Sequence, residues 1–502
     1  MERKITYITR ELMEKMTALR REFHRYPETA WTEYRTTWRA AQELEKAGFQ
    51  VFLGEEVCRP DSRMGLPTGK YLKSCEARAL SEGVPSGVME RMQGGKTGAV
   101  GILKGEKPGP VRALRFDMDA LPVQEAETER NQGYRSLHPG IMHACGHDGH
   151  TAAGLGLAHL LGQRRQELTG EVRLLFQPAE EGCRGARALG DQGWLEGADF
   201  FLGGHIGIGA ERLGEIVACT HGFLATSKLD LQFRGRASHA AKAPEKGRNA
   251  LLAAAVCTVN AYAISRNGQG DGRINIGRFT GGRGRNIIAD EAYLEAETRG
   301  DTGGINRFMR DSLERVARAS AAMYGVTCRI LEQGEAGTAK SSPELIRSCR
   351  KAAESVGLEG LYRETGSFQA SEDAATLMER VQNAGGQAAY FMFGSPLAAE
   401  HHQPGFDFEE EVMGIMAEFY SAAVLGNSGL CYVSEENIYV TEGIYDGSGG
   451  VTQTSIRRLS YSDGEIAAEA QTKVEGTLKD SFCIDEYEGY LRLVTTVSPV
   501  YI

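Results

Sequence analysis

The sequence predicts an α/β domain with a mostly parallel sheet, interrupted by an inserted α+β unit and followed by a short all-β tail. Three observations carry that expectation. Before Thr220 short apolar runs alternate with helix-like stretches, the pattern of a sheet covered by helices. Between Thr220 and Gln333 the runs "KLDLQFRG", "RINIGRF", "AYLEAETRG" and "VTCRIL" surround the helical "GRNALLAAAVCTVNAYAI" and "INRFMRDSLERVARASAAMYG". From Asn427 onward strand-like runs follow one another, separated by turn signals such as "DGSGG" and "SDG", with no helical period.

The first element is helical: "RREFHRYPETAWTEYRTTWRAAQELEKAGF" carries helix-forming residues with a break at Pro27. The core strands come next, each ending in polar residues. "VRALRF" runs into "DMDALP", "EVRLLF" into "QPAEEG", "ADFFLG" into "GHIG", and "QAAYFMF" into "GSPLAAEHH". Parallel sheets bind ligands just beyond the carboxyl ends of their strands. That edge is therefore expected to gather Asp117 and Asp119, Glu180 and Glu181, His205, and His401 with His402. The stretch "HACGHDGH", from His143 to His150, precedes the apolar "TAAGLGLAHLL" and should lie in a loop feeding a helix N-terminus. Five segments thus bring carboxylates, imidazoles and a thiol to one place.

Composition limits what such a chain does. At 502 residues it exceeds one ordinary core and should divide into two or three domains. Hydrophobic content of 41% and charged content of 25% are those of a soluble globular protein. A net charge of −10 gives no general basic surface for nucleic acid or anionic lipid. The start is charged throughout, and no stretch approaches the roughly 18 apolar residues of a membrane span. Ten cysteines, scattered from Cys58 to Cys483 without a CxxC, read as reduced thiols of a cytoplasmic protein.

Taken singly the polar residues are weak signals: a lone histidine is more often core or surface than ligand, and adjacent glutamates are usually solvated. Together they suit a metal. Cys145 and His147, two apart, can turn toward one ion, and thiolate, imidazole and carboxylate all suit Zn²⁺ or Mn²⁺. A Cys–His nucleophile pair so close in sequence rarely achieves in-line geometry, and it leaves the carboxylates and distant histidines unexplained.

The motifs "RREFHRYPE", "ALRFDMDALP", "MHACGHDGHTA", "LLFQPAEEG", "GGHIG" and "HHQPGFDFEE" resemble the dinuclear-metal amidohydrolases of the aminoacylase peptidase family. Order and spacing match over about residues 1–426, and the chain is most similar to the branch of hippurate, indoleacetyl-amino-acid and p-aminobenzoyl-glutamate hydrolases. The resemblance implies two divalent ions per chain, Mn²⁺ or Zn²⁺, with Cys145 bridging them and His147, Glu181, His205 and His402 as further ligands. The family's pattern, a His two residues before Pro, points to His402 rather than His401. It makes Glu180 the general acid/base and Asp119 a carboxylate that orients the site. His143, Asp148 and His150 become structural, with Asp148 suited to bonding a neighbouring ligand.

The resemblance also divides the chain into a catalytic domain in two parts, 1–219 and 334–426, a lid and dimerisation domain over 220–333, and a β-rich tail over 427–502. In the lid, His239 is implied in oxyanion stabilisation, and Asn286 and Arg299 in binding the substrate carboxylate. A homodimer through the lid is implied, or a heteromer with a related subunit. The implied reaction is hydrolysis of the amide of a small N-acyl amino acid, with p-aminobenzoyl-glutamate as the first choice. The alternatives are a broader hippurate-like amidohydrolase and a non-catalytic subunit, and the complete ligand and base set favours catalysis. The tail resembles one to two blades of a bacterial β-propeller, fewer than the four a propeller needs to close. No metal or catalytic set is legible in it.

Overall fold

The structure, a computed structural model, describes residues 8–425 and, beyond them, 431–433, 437–445, 451–462, 465–476, 483–487 and 490–495. Its centre is an eight-stranded sheet. In spatial order the strands are Gln50–Leu53, Ala99–Lys104, Thr169–Gln177, Lys107–Asp117, Phe200–Ile206, Gln387–Phe393, Ile216–His221 and Tyr362–Ser367. The strands Thr169–Gln177, Lys107–Asp117, Phe200–Ile206 and Gln387–Phe393 are parallel neighbours. Antiparallel pairings appear toward both edges.

Alternate residues of these strands feed opposite faces, as the two-residue period of a strand requires. Leu114, Phe116, Leu174 and Phe176 enter one buried cluster, and Ala113 and Leu175 enter the other. On the first face lies the helix His147–Gln163, packed against the helices Arg10–Arg25 and Glu411–Leu425. It is apolar and buried almost all round, and small residues let it come close. A Cβ on Gly154 would stand 2.7 Å from the Phe116 ring, and one on Gly156 would strike Met16. The break at Pro27 is real: the helix Arg10–Arg25 ends before it and Tyr34–Lys46 begins after it. The opposite face is covered by Ala186–Asp191 and Ala374–Asn383.

A second sheet has four antiparallel strands in the order Thr327–Ala336, Ala225–Arg234, Glu291–Gly300 and Gly272–Gly281. Its apolar face, with Leu229, Leu231, Phe233 and Leu294, packs on the helices Ala250–Tyr262 and Gly303–Met323. Its other face is polar and carries Lys228, Asp230, Glu295, Glu297 and Arg299. The helix Ala250–Tyr262 leaves Leu252, Val259 and Tyr262 exposed, near Phe279 of the edge strand Gly272–Gly281.

The tail has no helix among its described residues. Cys431–Val433, Asn437–Tyr445, Val451–Ser462 and Glu465–Glu475 form a four-stranded antiparallel meander. A hairpin, Ile484–Tyr487 with Tyr490–Leu493, shares a small core of Tyr439, Ile456 and Ile484 with it.

Candidate metal centre

The "HACGHDGH" stretch does not remain a loop. Its first part does, but a helix begins at His147, with Gly146 as N-cap at φ 90°, a left-handed conformation that favours glycine. Cys145 and His147 therefore stand at a helix N-terminus, where the backbone dipole favours a thiolate. Two other backbone positions at the site are held in the same unfavourable region without glycine: Ala179, at φ 55°, precedes Glu180, and His402 lies at φ 65°. The His402 amide donates to the Ala144 carbonyl at 2.7 Å, which ties the last histidine segment to the Cys145 segment.

The donor atoms converge. Those of Cys145, His147 and His205 lie within 4.8 Å of one another, and so do those of Cys145, Glu181 and His402. Cys145 belongs to both groups. Its Sγ is 3.4 Å from His205 Nε2, and His402 Nε2 is 3.6 Å from Glu181 Oε1. His147 donates from Nδ1 to the Asp119 carbonyl at 2.9 Å, and His205 donates from Nδ1 to the Ile206 carbonyl at 2.8 Å. Both bonds fix the tautomer that leaves the Nε2 lone pair facing the cluster, unpartnered in His147 and against the Cys145 thiol in His205. His401 instead commits Nε2 to the Ile206 carbonyl at 3.1 Å.

The fit to divalent cations rests on orphaned atoms. His147 Nε2 and Glu181 Oε1 are buried with no hydrogen-bond partner. Each such group costs about 1–3 kcal/mol unless something takes its lone pair. Burial also pushes the Cys145 thiol well up and the Glu181 carboxyl up to about 7, both toward the neutral form that a cation would reverse. A sulfur, imidazole and carboxylate set of this kind suits Zn²⁺ or Mn²⁺.

Around it stand the groups that hold it. Asp119 accepts the Glu180 and Glu181 amides at 2.9 and 3.0 Å, so its carboxylate sets the loop that carries both glutamates. Glu180 is buried 4.0 Å from His147 Nε2. Burial and the neighbouring charges of Glu372, Glu181 and Asp373 raise its proton affinity well above that of an ordinary carboxylate. His150 is structural, donating to Asp117 at 2.5 Å and accepting the Ile206 amide at 2.9 Å. His143 is buried with neither nitrogen bonded to any described group. Asp148 corrects one expectation. It bonds no metal-ligand candidate and instead pairs with Arg20 at 2.9 Å and His24 at 2.8 Å, locking the first helix to the helix His147–Gln163.

The inserted sheet divides its candidates. Arg299 Nη1 lies 3.4 Å from Ser371 Oγ, and its Nε is 2.6 Å from Glu297. His239 and Asn286 sit together on an exposed edge, where His239 pairs with Ile287 and the Ala240 amide donates to the Asn286 carbonyl. Among the described residues, no hydrogen bond or ion pair joins either to the buried cluster.

Sequence reasoning missed the support beneath the site. Arg115 is fully buried, 2.6 Å from Asp117, 2.9 Å from Asp373 and 3.0 Å from Glu372. Asp373 in turn accepts the Gly185 and Ala186 amides just beyond Glu180 and Glu181. Buried Glu33 accepts the Ala179 amide at 2.8 Å from the other side.

The model of the peptidase family M20/M25/M40 matches residues 113–426, and that of a β-propeller domain matches 406–501. Indole-3-acetyl-aspartic acid hydrolase of Enterobacter agglomerans is 42% identical over 83% of this chain and 96% of its own length. A p-aminobenzoyl-glutamate hydrolase subunit from Escherichia coli strain K12 is also 42% identical, over 82% of this chain and 96% of its own. Among solved structures, an aminobenzoyl-glutamate utilization protein from Klebsiella pneumoniae superposes with a TM-score of 0.73 at 37% identity, covering 83% of this chain and 97% of that one.

Proposed function

The chain belongs to the peptidase family M20/M25/M40 and is a metal-dependent amidohydrolase, and on that premise we propose that it cleaves N-acyl amino acids bearing a free carboxylate, p-aminobenzoyl-glutamate first among them. The observation that carries this reading is the meeting of Cys145, His147, Glu181, His205 and His402, where the buried His147 Nε2 and Glu181 Oε1 have no protein partner. The substrate follows the names of the two relatives at 42% identity, both hydrolases of an acyl conjugate of an acidic amino acid.

Two divalent ions held by those five residues would supply the Lewis acidity that makes water a nucleophile near neutral pH. Glu180, with its raised proton affinity, takes the proton of the attacking water and passes it to the departing amine. Asp119 keeps Glu180 and Glu181 in register and holds the His147 tautomer. Arg299 pairs with the substrate carboxylate through its two-pronged donor set. The exposed His239 and Asn286, together with the exposed apolar Leu252, Val259, Tyr262 and Phe279 of the same lid, support a homodimer in which the lid completes the site of a second copy. The Escherichia coli relative is by name one part of a larger hydrolase, which supports a heteromer of related chains as the second arrangement. No helix among the described residues is long and apolar enough to cross a membrane, and the free thiols support a cytoplasmic location.

Metal analysis tests the premise. Reconstituted protein should hold two equivalents of Mn²⁺ or Zn²⁺, and a stoichiometry that stays below one rules out the dinuclear reading. Without a cation Glu181 titrates near 7, so below that pH a binding ion must displace its proton. Affinity should therefore fall as the pH drops below about 7, with protons released on binding.

Arg299→Ala tests substrate recognition. Wild type should strongly prefer a free-acid substrate over its methyl ester, and the variant should lose most of that preference, a charge-assisted contact of roughly 1.5–3 kcal/mol. Equal discrimination by both proteins would show that Arg299 does not read the carboxylate.

A further inference from the structure

We propose that Lys228 binds the side-chain carboxylate of an acidic amino acid, which makes this an enzyme for N-acyl-glutamate or N-acyl-aspartate rather than for neutral N-acyl amino acids. The assignment rests on the amidohydrolase reading above and goes beyond it. Arg299 accounts for one substrate carboxylate, and a second cation is left over on the same face of the lid sheet.

Lys228 and Arg299 share a single carboxylate. Glu297 stands opposite Lys228 in the strand pairing, with its Oε1 2.6 Å from Arg299 Nε and its Oε2 3.7 Å from Lys228 Nζ. The second distance is beyond a hydrogen bond, so the ammonium keeps its donors free for a ligand. Arg299 lies toward Ser371, whereas Lys228 shares a cavity with Arg184, three residues beyond Glu181. A dicarboxylate whose amide sits at the metal centre thus meets one cation for each carboxylate.

Lys228 also lines a cavity of about 400 Å³ between the polar face of the lid sheet and the loop that follows Glu181. Arg184 closes its floor. Its Nε is buried without a partner, and it is wedged between Gly65 and Gly182, where a Cβ would stand 2.8 and 2.6 Å from that nitrogen. Two of the acids on the cavity wall are already engaged: Gln333 donates to Asp230 at 2.7 Å, and Arg278 pairs with Glu295 at 2.9 Å. Glu297 is left between two cations, so Lys228 keeps part of its charge for an anion beside Arg184. A neutral side chain there would meet an ammonium whose charge is only half offset by the Glu297 it shares with Arg299.

The test compares an N-acyl-glutamate with the matching N-acyl-glutamine on metal-loaded protein. The two differ only in the charge of the side chain. Wild type should favour glutamate by roughly 10- to 100-fold in kcat/KM, the worth of one charge-assisted contact. Lys228→Met should close that gap by raising KM for the glutamate substrate more than for the glutamine one, and Lys228→Arg should keep the preference. A gap that persists in Lys228→Met overturns the assignment, as does a wild type without preference. An equal loss on both substrates makes Lys228 a structural residue and overturns it too. Failure of wild type to hydrolyse any N-acyl amino acid is a different result, and it would refute the amidohydrolase reading instead.

Discussion

Glu180→Gln is expected to lower kcat by about 10²–10⁴-fold while leaving metal content unchanged, because general acid/base transfer contributes on that scale. Its carboxyl is buried against Glu372, Glu181 and Asp373, which favour the protonated form, and it lies 4.0 Å from the free Nε2 of His147. That is the position of a group that carries a proton beside the ions. Glu181 differs by one residue and by role, since its Oε1 is an orphaned lone pair close to His402. Glu181→Gln should therefore lose metal before it loses anything else. Metal analysis beside single-substrate kinetics separates the two. If Glu180→Gln sheds its metal and Glu181→Gln retains it, the roles are reversed.

Arg115→Met should destabilise the protein by about 3–5 kcal/mol, the cost of removing one partner from a buried ionic cluster. Arg115 is fully buried and holds Asp117, Glu372 and Asp373 at 2.6, 3.0 and 2.9 Å, with Gln177 accepting from its Nε at 2.9 Å. The substitution keeps much of the volume but leaves three buried carboxylates facing one another. Arg115→Lys should recover only part of the loss, because a point-like ammonium cannot span partners set around a planar fork. Denaturant unfolding of metal-free protein reads the effect directly. A midpoint close to that of wild type would mean that the cluster does not stabilise the fold.

The gathering of site residues was legible because the strands announce themselves. Each apolar run ends in the polar residues that the parallel sheet delivers to its carboxyl edge, so Asp117, Asp119, Glu180, Glu181 and His205 needed only the rule of the strand end. The family's spacing before Pro pointed to His402 over His401, but the left-handed backbone there, whose amide reaches Ala144, is signalled by no local pattern. Nothing in the sequence around Glu372 and Asp373 signals that they are buried. Their burial depends on Arg115, 258 positions from Asp373 in the chain, and on the Tyr390 hydroxyl, which donates to Glu372 at 2.6 Å. Asp148 misled for the same reason, since its partner Arg20 belongs to the first helix, 128 residues away. Charge pairs across such separations are fixed by the assembled core rather than by any window of sequence.

The order of the central sheet sets a timetable for synthesis. The strand Gln387–Phe393 lies between Phe200–Ile206 and Ile216–His221, yet it leaves the ribosome long after both. At roughly 5–20 residues per second, the interval between the translation of His221 and of Gln387 is on the order of 10–30 s. Throughout it the nascent chain carries Cys145, His147, Glu181 and His205 without His402, and presents unpaired strand edges to its surroundings. Any partner that shields those edges must therefore stay bound until the second half of the sheet arrives, and the ligand set is complete only once His402 has emerged.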